Sequence, residues 1–269
     1  MSFEVVQIGD CTLYHGDCLE ALPTLAPGRI DAVVTDPPYG IVNRFGECNT
    51  CGSSGNNGTR KLEFHFDSVS GVREMIREAI SLSALACRST AAAFVFCGFD
   101  TAELGRDALR DRGFVVKPAA WVKTCPPPAG CGNWWPSAFE LAMYGYRASP
   151  WFGDDDPKRS NVFLGDSYRH GQPGKVDHPT QKPLWLMHRI VESIVPHRGL
   201  ALDPFMGSGT TGVACVRTGR RFIGVEIERK YFDLACQRIE QAYADRSAPL
   251  FGEVAPKPQQ LTLDTEAVA

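Results

Sequence analysis

Two short stretches of the sequence carry residue types that can do chemistry. In "RIDAVVTDPPYGI" the apolar run Ala32 to Val34 leads through Thr35 into Asp36, Pro37, Pro38 and Tyr39. Proline fixes its own φ and restricts the residue before it, so this tetrapeptide holds a carboxylate and an aromatic ring in one rigid relation. Such a pair suits the gripping of something flat that carries an exposed amine. In "LDPFMGSGTTG" glycines stand at 207, 209 and 212, after Asp203, Pro204 and Phe205. Glycines between a strand and a helix let a ligand approach the backbone. Glu226, nineteen positions after Gly207 at the end of "RFIGVE", is spaced to accept hydrogen bonds from a ribose.

The same glycine spacing is the dinucleotide fingerprint, so an NAD-dependent oxidoreductase is a rival reading, and the motif alone is weak. Two features count against it. Roughly sixty residues follow the turn, too few for the βα units that a dinucleotide domain adds after its fingerprint. An acid at position 203 would repel a pyrophosphate, whereas it suits an ammonium or a sulfonium. The pocket therefore favours a positively charged nucleoside such as S-adenosylmethionine.

The elements that must position these residues are readable in outline. "CTLYHGD" and "IDAVVTD" each read as a strand ending on an acid, with a helix-like "CLEALPTL" between them, which makes a βαβ unit. Residues 40–68, rich in Gly, Asn and Ser, form a long segment next to the tetrapeptide, expected to be a flexible active-site loop. "GVREMIREAISLSALAC" repeats apolar residues at helical spacing, with Val72, Met75, Ile76, Ile80 and Leu82 or Leu85 on one side. "AAAFVFCGF" reads as a buried strand, and "DTAELGRDALRDRG" as a helix opened by Asp100 or Thr101 and closed by Gly113. "FVVKPAAWVK" and "FELAMYGYR" are two further strands. A polar stretch at 147–177 has no sustained period. The helix "KPLWLMHRIVESIV" follows, with Pro183 near its first position. Strand, glycine turn, helix, strand and helix complete a domain expected to span 1–247, and 248–269 reads as a disordered tail.

With 269 residues and 43% apolar content, the chain can bury a substantial core. Its formal charge of −3 gives no general pull toward nucleic acid, so a polyanion would have to meet a local basic surface. No apolar run reaches the roughly 18–20 residues that span a bilayer, and the N-terminus lacks a leader pattern, so a cytoplasmic protein without membrane contact is expected. The ten cysteines are scattered, several of them in apolar runs, and read as reduced core thiols. Cys48 and Cys51 have CxxC spacing and could form a zinc site with Cys125 and Cys131, but surface-loop thiols are the preferred reading and no metal is expected.

The motifs together resemble the DNA amino-methyltransferases, in the β-group order: "TDPPYG" first, a recognition region in the middle, "HPTQKP" at 178–183, and "LDPFMGSGTT" last. The resemblance covers residues 10 to 242. It implies a circularly permuted, Rossmann-like α/β fold: a seven-stranded, mostly parallel sheet with one antiparallel strand and helices on both faces. It implies that Asp17, with Cys18 beside it, contacts the adenine of S-adenosylmethionine and that Glu226 binds the ribose. Asp203, Phe205, Gly207, Ser208, Gly209 and Thr210 would surround the methionine part, close to Asp36, and Thr180 and Lys182 would close over its carboxylate. Asp17 and Glu226 could instead cap the helices that follow them.

By this resemblance Asp36 to Tyr39 is the catalytic motif. An exocyclic amine is a poor nucleophile because its lone pair is delocalised. An ionised Asp36 and the Pro37 carbonyl can each accept one of its N–H bonds and favour a pyramidal nitrogen. Base flipping costs a few kcal/mol, and stacking on Tyr39 would return roughly 1–3 kcal/mol. Asp at the first motif position points to adenine N6; Ser would point to cytosine N4, which is the alternative. Pro-Cys occurs nowhere, which argues against C5-cytosine chemistry, and Asn would be expected at position 36 for glutamine methylation of a protein. The implied product is S-adenosylhomocysteine, and the implied partner is double-stranded DNA in the nucleoid. Candidate DNA contacts are Arg44, Arg60 and Lys61 in the loop, and Lys158, Arg159, Arg169, His170 and Lys175 in the 147–177 target-recognition insert. Trp134 and Trp135 could stack on or wedge the duplex. A short insert makes a homodimer plausible.

Overall fold

A computed structural model of the protein describes residues 3–38, 69–125, 137–153, 159–168, 174–178 and 180–247. Its framework is a nine-stranded sheet in the order β1-β2-β9-β8-β3-β4-β6-β5-β7. The strands are β1 (Glu4–Ile8), β2 (Cys11–His15), β3 (Ile30–Thr35), β4 (Cys87–Cys97), β5 (Val115–Val122), β6 (Phe139–Tyr146), β7 (Val162–Leu164), β8 (Leu200–Asp203) and β9 (Arg221–Glu226). The helices are α1 (Cys18–Ala21), α2 (Val69–Ala86), α3 (Ala102–Asp111), α4 (Leu184–Ile194), α5 (Thr210–Thr218) and α6 (Arg229–Ser247).

The central strands are apolar on both sides because helices cover both faces. In β4, Ala92, Phe94 and Phe96 face a core shared with α4, α5 and α6, while Ala93 and Val95 face one shared with α1, α2 and α3. Helix α2 buries Val72, Met75, Ile76 and Ile80, as its spacing predicts, with Leu82 half-buried against the same core and Leu85 exposed near the helix end. Gly113 closes the turn after α3 at φ +80°, a conformation that costs glycine nothing.

The sheet has nine strands where seven were expected. The seven read from sequence form its contiguous centre, β2 to β5, in which β6 alone runs antiparallel to both neighbours. The two others are edges. β1 forms a hairpin with β2 across Gly9 and Asp10 and leaves Val5 exposed, so it lacks the alternation of a half-buried strand. β7 is three residues from within the 147–177 stretch, too short for any period, and pairs in parallel with β5. Residues 40–68 and the tail from 248 lie outside the described residues. Among the described residues, no helix is long and apolar enough to cross a membrane.

Candidate active site

The ends of β2, β9, β8 and β3 lie side by side on one edge of the sheet and present Asp17, Glu226, Asp203 and Asp36 in that order. At about 4.8 Å per strand gap, these four ends span roughly 14 Å. Chain order reverses between β8 and β3, since β8 leads on to β9 on one side and β3 to β4 on the other. Open α/β sheets bind ligands at the carboxyl ends of strands at such a switch point.

Asp203 ties the two sides of this switch point together. Its carboxylate is 3% exposed; Oδ1 accepts from Thr35 Oγ1 at 2.7 Å and from the Phe205 N–H at 3.1 Å, and Oδ2 accepts from Thr211 Oγ1 at 2.6 Å. Burial pushes its pKa up to about 6 against the pull of those three donors. Because Thr35 precedes Asp36, this carboxylate fixes the end of the tetrapeptide's strand relative to the glycine turn.

The turn itself is shaped by Gly207 at φ +50° and Gly209 at φ +75°. A Cβ on Gly209 would lie 2.8 Å from the Cβ of Ala235 in α6 and 3.0 Å from its Cα, so only glycine fits. Glu226 Oε2 accepts the Gly207 N–H at 2.9 Å and Oε1 the Glu228 N–H at 2.8 Å, so this acid braces the turn and caps the approach to α6. Burial raises its pKa to about 7 despite both bonds. Asp17 Oδ1 accepts the Leu19 N–H at 2.9 Å and caps α1, while Cys18 is buried beside it, its pKa pushed up by burial to about 12. Asp17 thus realises the capping role open to it in the sequence, whereas Glu226 bonds Glu228 ahead of α6, which starts at Arg229, and is not that helix's N-cap; both acids still stand at the edge. From α6, Arg238 Nη1 donates to Ser208 Oγ and Thr210 Oγ1, each at 3.1 Å, and to the Ser208 carbonyl. Burial lowers the Arg238 pKa.

The "HPTQKP" segment packs over this turn. Gln181 folds back to bond the Val176 N–H and the Gly174 carbonyl. The His178 ring lies against Tyr231, with centroids 4.5 Å apart, and next to Gly207, and its buried Nδ1 has no hydrogen-bond partner among the described residues. Burial, reinforced by the cations Lys175, Lys182 and Arg238, lowers its pKa to about 4 and keeps it neutral. Thr180 is exposed.

Lys182 crosses to the other half of the site. Its ammonium is 8% exposed, pairs with Asp36 Oδ2 and with Glu140 Oε2 at 3.1 Å, and lies 4.9 Å from the Phe96 ring centroid. Lys123 pairs with Glu140 Oε1 at 2.8 Å. Burial alone would lower the Lys182 pKa, but Asp36 and Glu140 outweigh it and raise it. Burial alone would raise that of Glu140, but Lys182 and Lys123 outweigh it and lower it. Four charges of alternating sign thus run from Asp36 to Lys123. Pro37 is buried next to Asp36; Tyr39 lies outside the described residues.

Sequence reasoning did not single out Glu140, Lys123, Arg238, His178 or Thr211. The signal for Glu140 was an acid inside the apolar strand "FELAMYGY", which needs a partner when buried. Of the candidate DNA contacts, Arg159 is exposed, with its guanidinium 5.3 Å from the Phe152 ring centroid. Lys175 instead points back, and its ammonium donates to the His178 carbonyl. Arg44, Arg60, Lys61, Lys158, Arg169, His170, Trp134 and Trp135 lie outside the described residues, as do Cys48, Cys51 and Cys131 of the possible zinc group.

Comparison with known proteins agrees with this layout. Residues 152–237 match the model of the N6/N4 DNA methylase family. The Type II methyltransferase M2.DpnII of Streptococcus pneumoniae is 28% identical over 246 residues, covering 85% of this chain and 89% of that protein. M2.LlaDCHI of Lactococcus lactis subsp. cremoris, also a Type II methyltransferase, is 27% identical over 248 residues with the same coverage. The crystal structure of the M1.HpyAVI–SAM complex superposes with a TM-score of 0.65 at 28% identity, covering 85% of this chain and 98% of that one. Motif order, fold and relatives converge, and the chain resembles the DNA methyltransferases of the N6/N4 family.

Proposed function

We propose that the chain transfers a methyl group from S-adenosylmethionine to the exocyclic N6 of adenine in double-stranded DNA, at specific sites. The observation that carries this reading is the adjacency of Asp36 and the glycine turn, joined through Thr35 and Asp203. The four acidic strand ends follow the order of the groups along an extended nucleoside: Asp17 for the adenine, Glu226 for the ribose, the 203–210 turn for the methionine part, and Asp36 for the target. The residues fit the cofactor, because the turn leaves room only for glycine and the His178 ring beside it holds a buried Nδ1 without a partner among the described residues. When bound, S-adenosylmethionine supplies a methyl on a sulfonium and leaves as S-adenosylhomocysteine. Lys182 is paired with two carboxylates. Arg238 bonds Ser208 and Thr210 of the turn, Lys175 and Arg238 both act on His178 beside it, and we assign the methionine carboxylate to these two cations together with Ser208 and Thr210.

The chain's own groups prepare the amine. Asp36 accepts one N–H and the Pro37 carbonyl the other, which turns the nitrogen lone pair outward, and Tyr39 stacks on the flipped base. Fixed near-attack geometry can supply several kcal/mol of the barrier. Asp36 at the first motif position favours adenine. Relatives named as Type II methyltransferases favour site-specific modification of the restriction type, and a second copy of the chain would add DNA contacts.

The test is to incubate the protein with S-adenosylmethionine and unmethylated genomic DNA, digest to nucleosides and weigh them. N6-methyladenosine in its deoxy form is expected, and Asp36→Ala should abolish it while cofactor binding persists. N4-methyldeoxycytidine would overturn the base assignment alone; no methylated nucleoside would overturn the whole reading. Sedimentation showing only monomer with and without DNA would overturn the dimer.

A further inference from the structure

We propose that Glu140 is a positioning residue for methyl transfer, acting through Lys182 to let Asp36 receive the proton that the methylated amine must lose. This rests on the functional reading above and assigns a role inside that same site.

The argument starts from charge. Lys182 is a buried ammonium set between two carboxylates, Asp36 at the end of β3 and Glu140 near the start of β6. Glu140 reaches this edge because β6 runs antiparallel: Glu140 lies opposite Trp121 of β5, one residue before the Leu141–Cys97 pair with β4. Lys123 braces Glu140 from the far side, itself 5.1 Å from the Trp121 ring centroid. A buried ion is tolerable when paired and costly when its partner is removed or neutralised. A lysine that served only to hold Asp36 would need one carboxylate. Here it has two.

The reaction explains the second one. As the amine nitrogen takes the methyl, the carbon–sulfur bond pair returns to sulfur, and the nitrogen carries four bonds and a positive charge. One N–H bond then breaks; its electron pair stays on nitrogen, and its proton passes to an Asp36 oxygen, which becomes a neutral acid. Lys182 at that moment loses the charge of Asp36 and keeps that of Glu140. The ammonium is compensated before and after transfer, so the proton has a nearby resting place that does not strand a buried charge. Asp36 later releases the proton to water.

The described charged and titratable groups around Asp36 come from several elements. Lys182 faces it from the segment before α4, and Asp203 at the end of β8 and Cys97 at the end of β4 each feel its charge. Glu140 and Lys123 act through Lys182. Removing the Glu140 charge leaves Lys182 to favour the ionised form of Asp36 more strongly and makes Asp36 a weaker proton acceptor.

The experiment is single-turnover methylation of unmethylated genomic DNA with tritiated S-adenosylmethionine from pH 5 to 9, with cofactor affinity measured by calorimetry. Glu140→Gln should lower the plateau rate by about 10- to 100-fold, the low end of what a positioned acid–base group contributes. Its acid limb should move to lower pH by about half a unit or more. Cofactor affinity should stay within about twofold, which also reports that the variant is folded, and Glu140→Asp should recover most of the rate. An unchanged rate in Glu140→Gln, an acid limb that stays in place while the rate falls, or cofactor affinity that falls in step with the rate would each overturn the assignment. Wild-type protein that labels no DNA would sink the functional reading, and this one with it; wild-type labelling with any of those three results would sink this one alone.

Discussion

The two halves of the catalytic edge are built by different means. The cofactor half is made mostly of backbone from one contiguous stretch: β8, the glycine turn, α5, β9 and α6 all lie between residues 200 and 247. Its shape comes from positive φ angles and from the close approach of Gly209 to Ala235. The target half is made of side chains from four separated segments, with Asp36, Lys123, Glu140 and Lys182 meeting through charge. Backbone shape is unforgiving of added volume. A charge network tolerates volume and is sensitive to the loss of one sign.

That contrast sets the expected effects of substitution. Asp36→Ala should lower the single-turnover rate about 10³-fold, in the range of a lost acid–base or electrostatic group, while moving cofactor affinity only a few-fold. A parallel loss of cofactor binding, seen by calorimetry, would show that the halves are not separable. Gly209→Ala should do the reverse. The strained left-handed φ and the clash with Ala235 together should cost about 2–4 kcal/mol of stability in a denaturant melt and abolish cofactor binding.

A smaller effect follows from Glu226. Its pKa near 7 means that the free protein carries a proton there in mildly acidic buffer. On the proposed assignment of Glu226 to the ribose, its hydroxyls donate to the ionised form, so cofactor binding at pH 6 should expel that proton, and affinity should fall as the pH drops below 7, by at most about tenfold per unit. Calorimetry in two buffers of different ionisation enthalpy would read the proton directly, and Glu226→Gln should abolish its release. The smallest effect is expected at the hinge between the halves. Thr211→Val removes one of three donors from buried Asp203 and should cost about 1 kcal/mol of stability. It should also slow methylation slightly, because Asp203 holds Thr35 and hence Asp36.

The same contrast explains what could be read in advance. The glycine turn was legible because its shape is written in consecutive residues, and Glu226 because it ends the next strand at a fixed spacing from that turn. The seven central strands were legible because burial on both faces leaves unbroken apolar runs such as "AAAFVF". The edge strands were not, since β1 exposes apolar residues and β7 has only three. The partner of Lys182 was not legible either. "HPTQKP" marks a segment near the cofactor, and nothing in it says that the lysine turns toward Asp36 and Glu140. Glu140 was hidden by the direction of its strand: one antiparallel strand was expected, but the sequence does not say which, and at the start of a parallel strand a residue belongs at the edge away from the chemistry.

The contact between Gly209 and Ala235 also bears on transplantation. A designer who moved only residues 203–212 into a foreign parallel sheet would bring the bend without the wall it is pressed against. Helix α6 supplies that wall at Ala235 and anchors the bend through Arg238. The smallest portable methyl-donor cradle in this protein is therefore the whole run from β8 through α6.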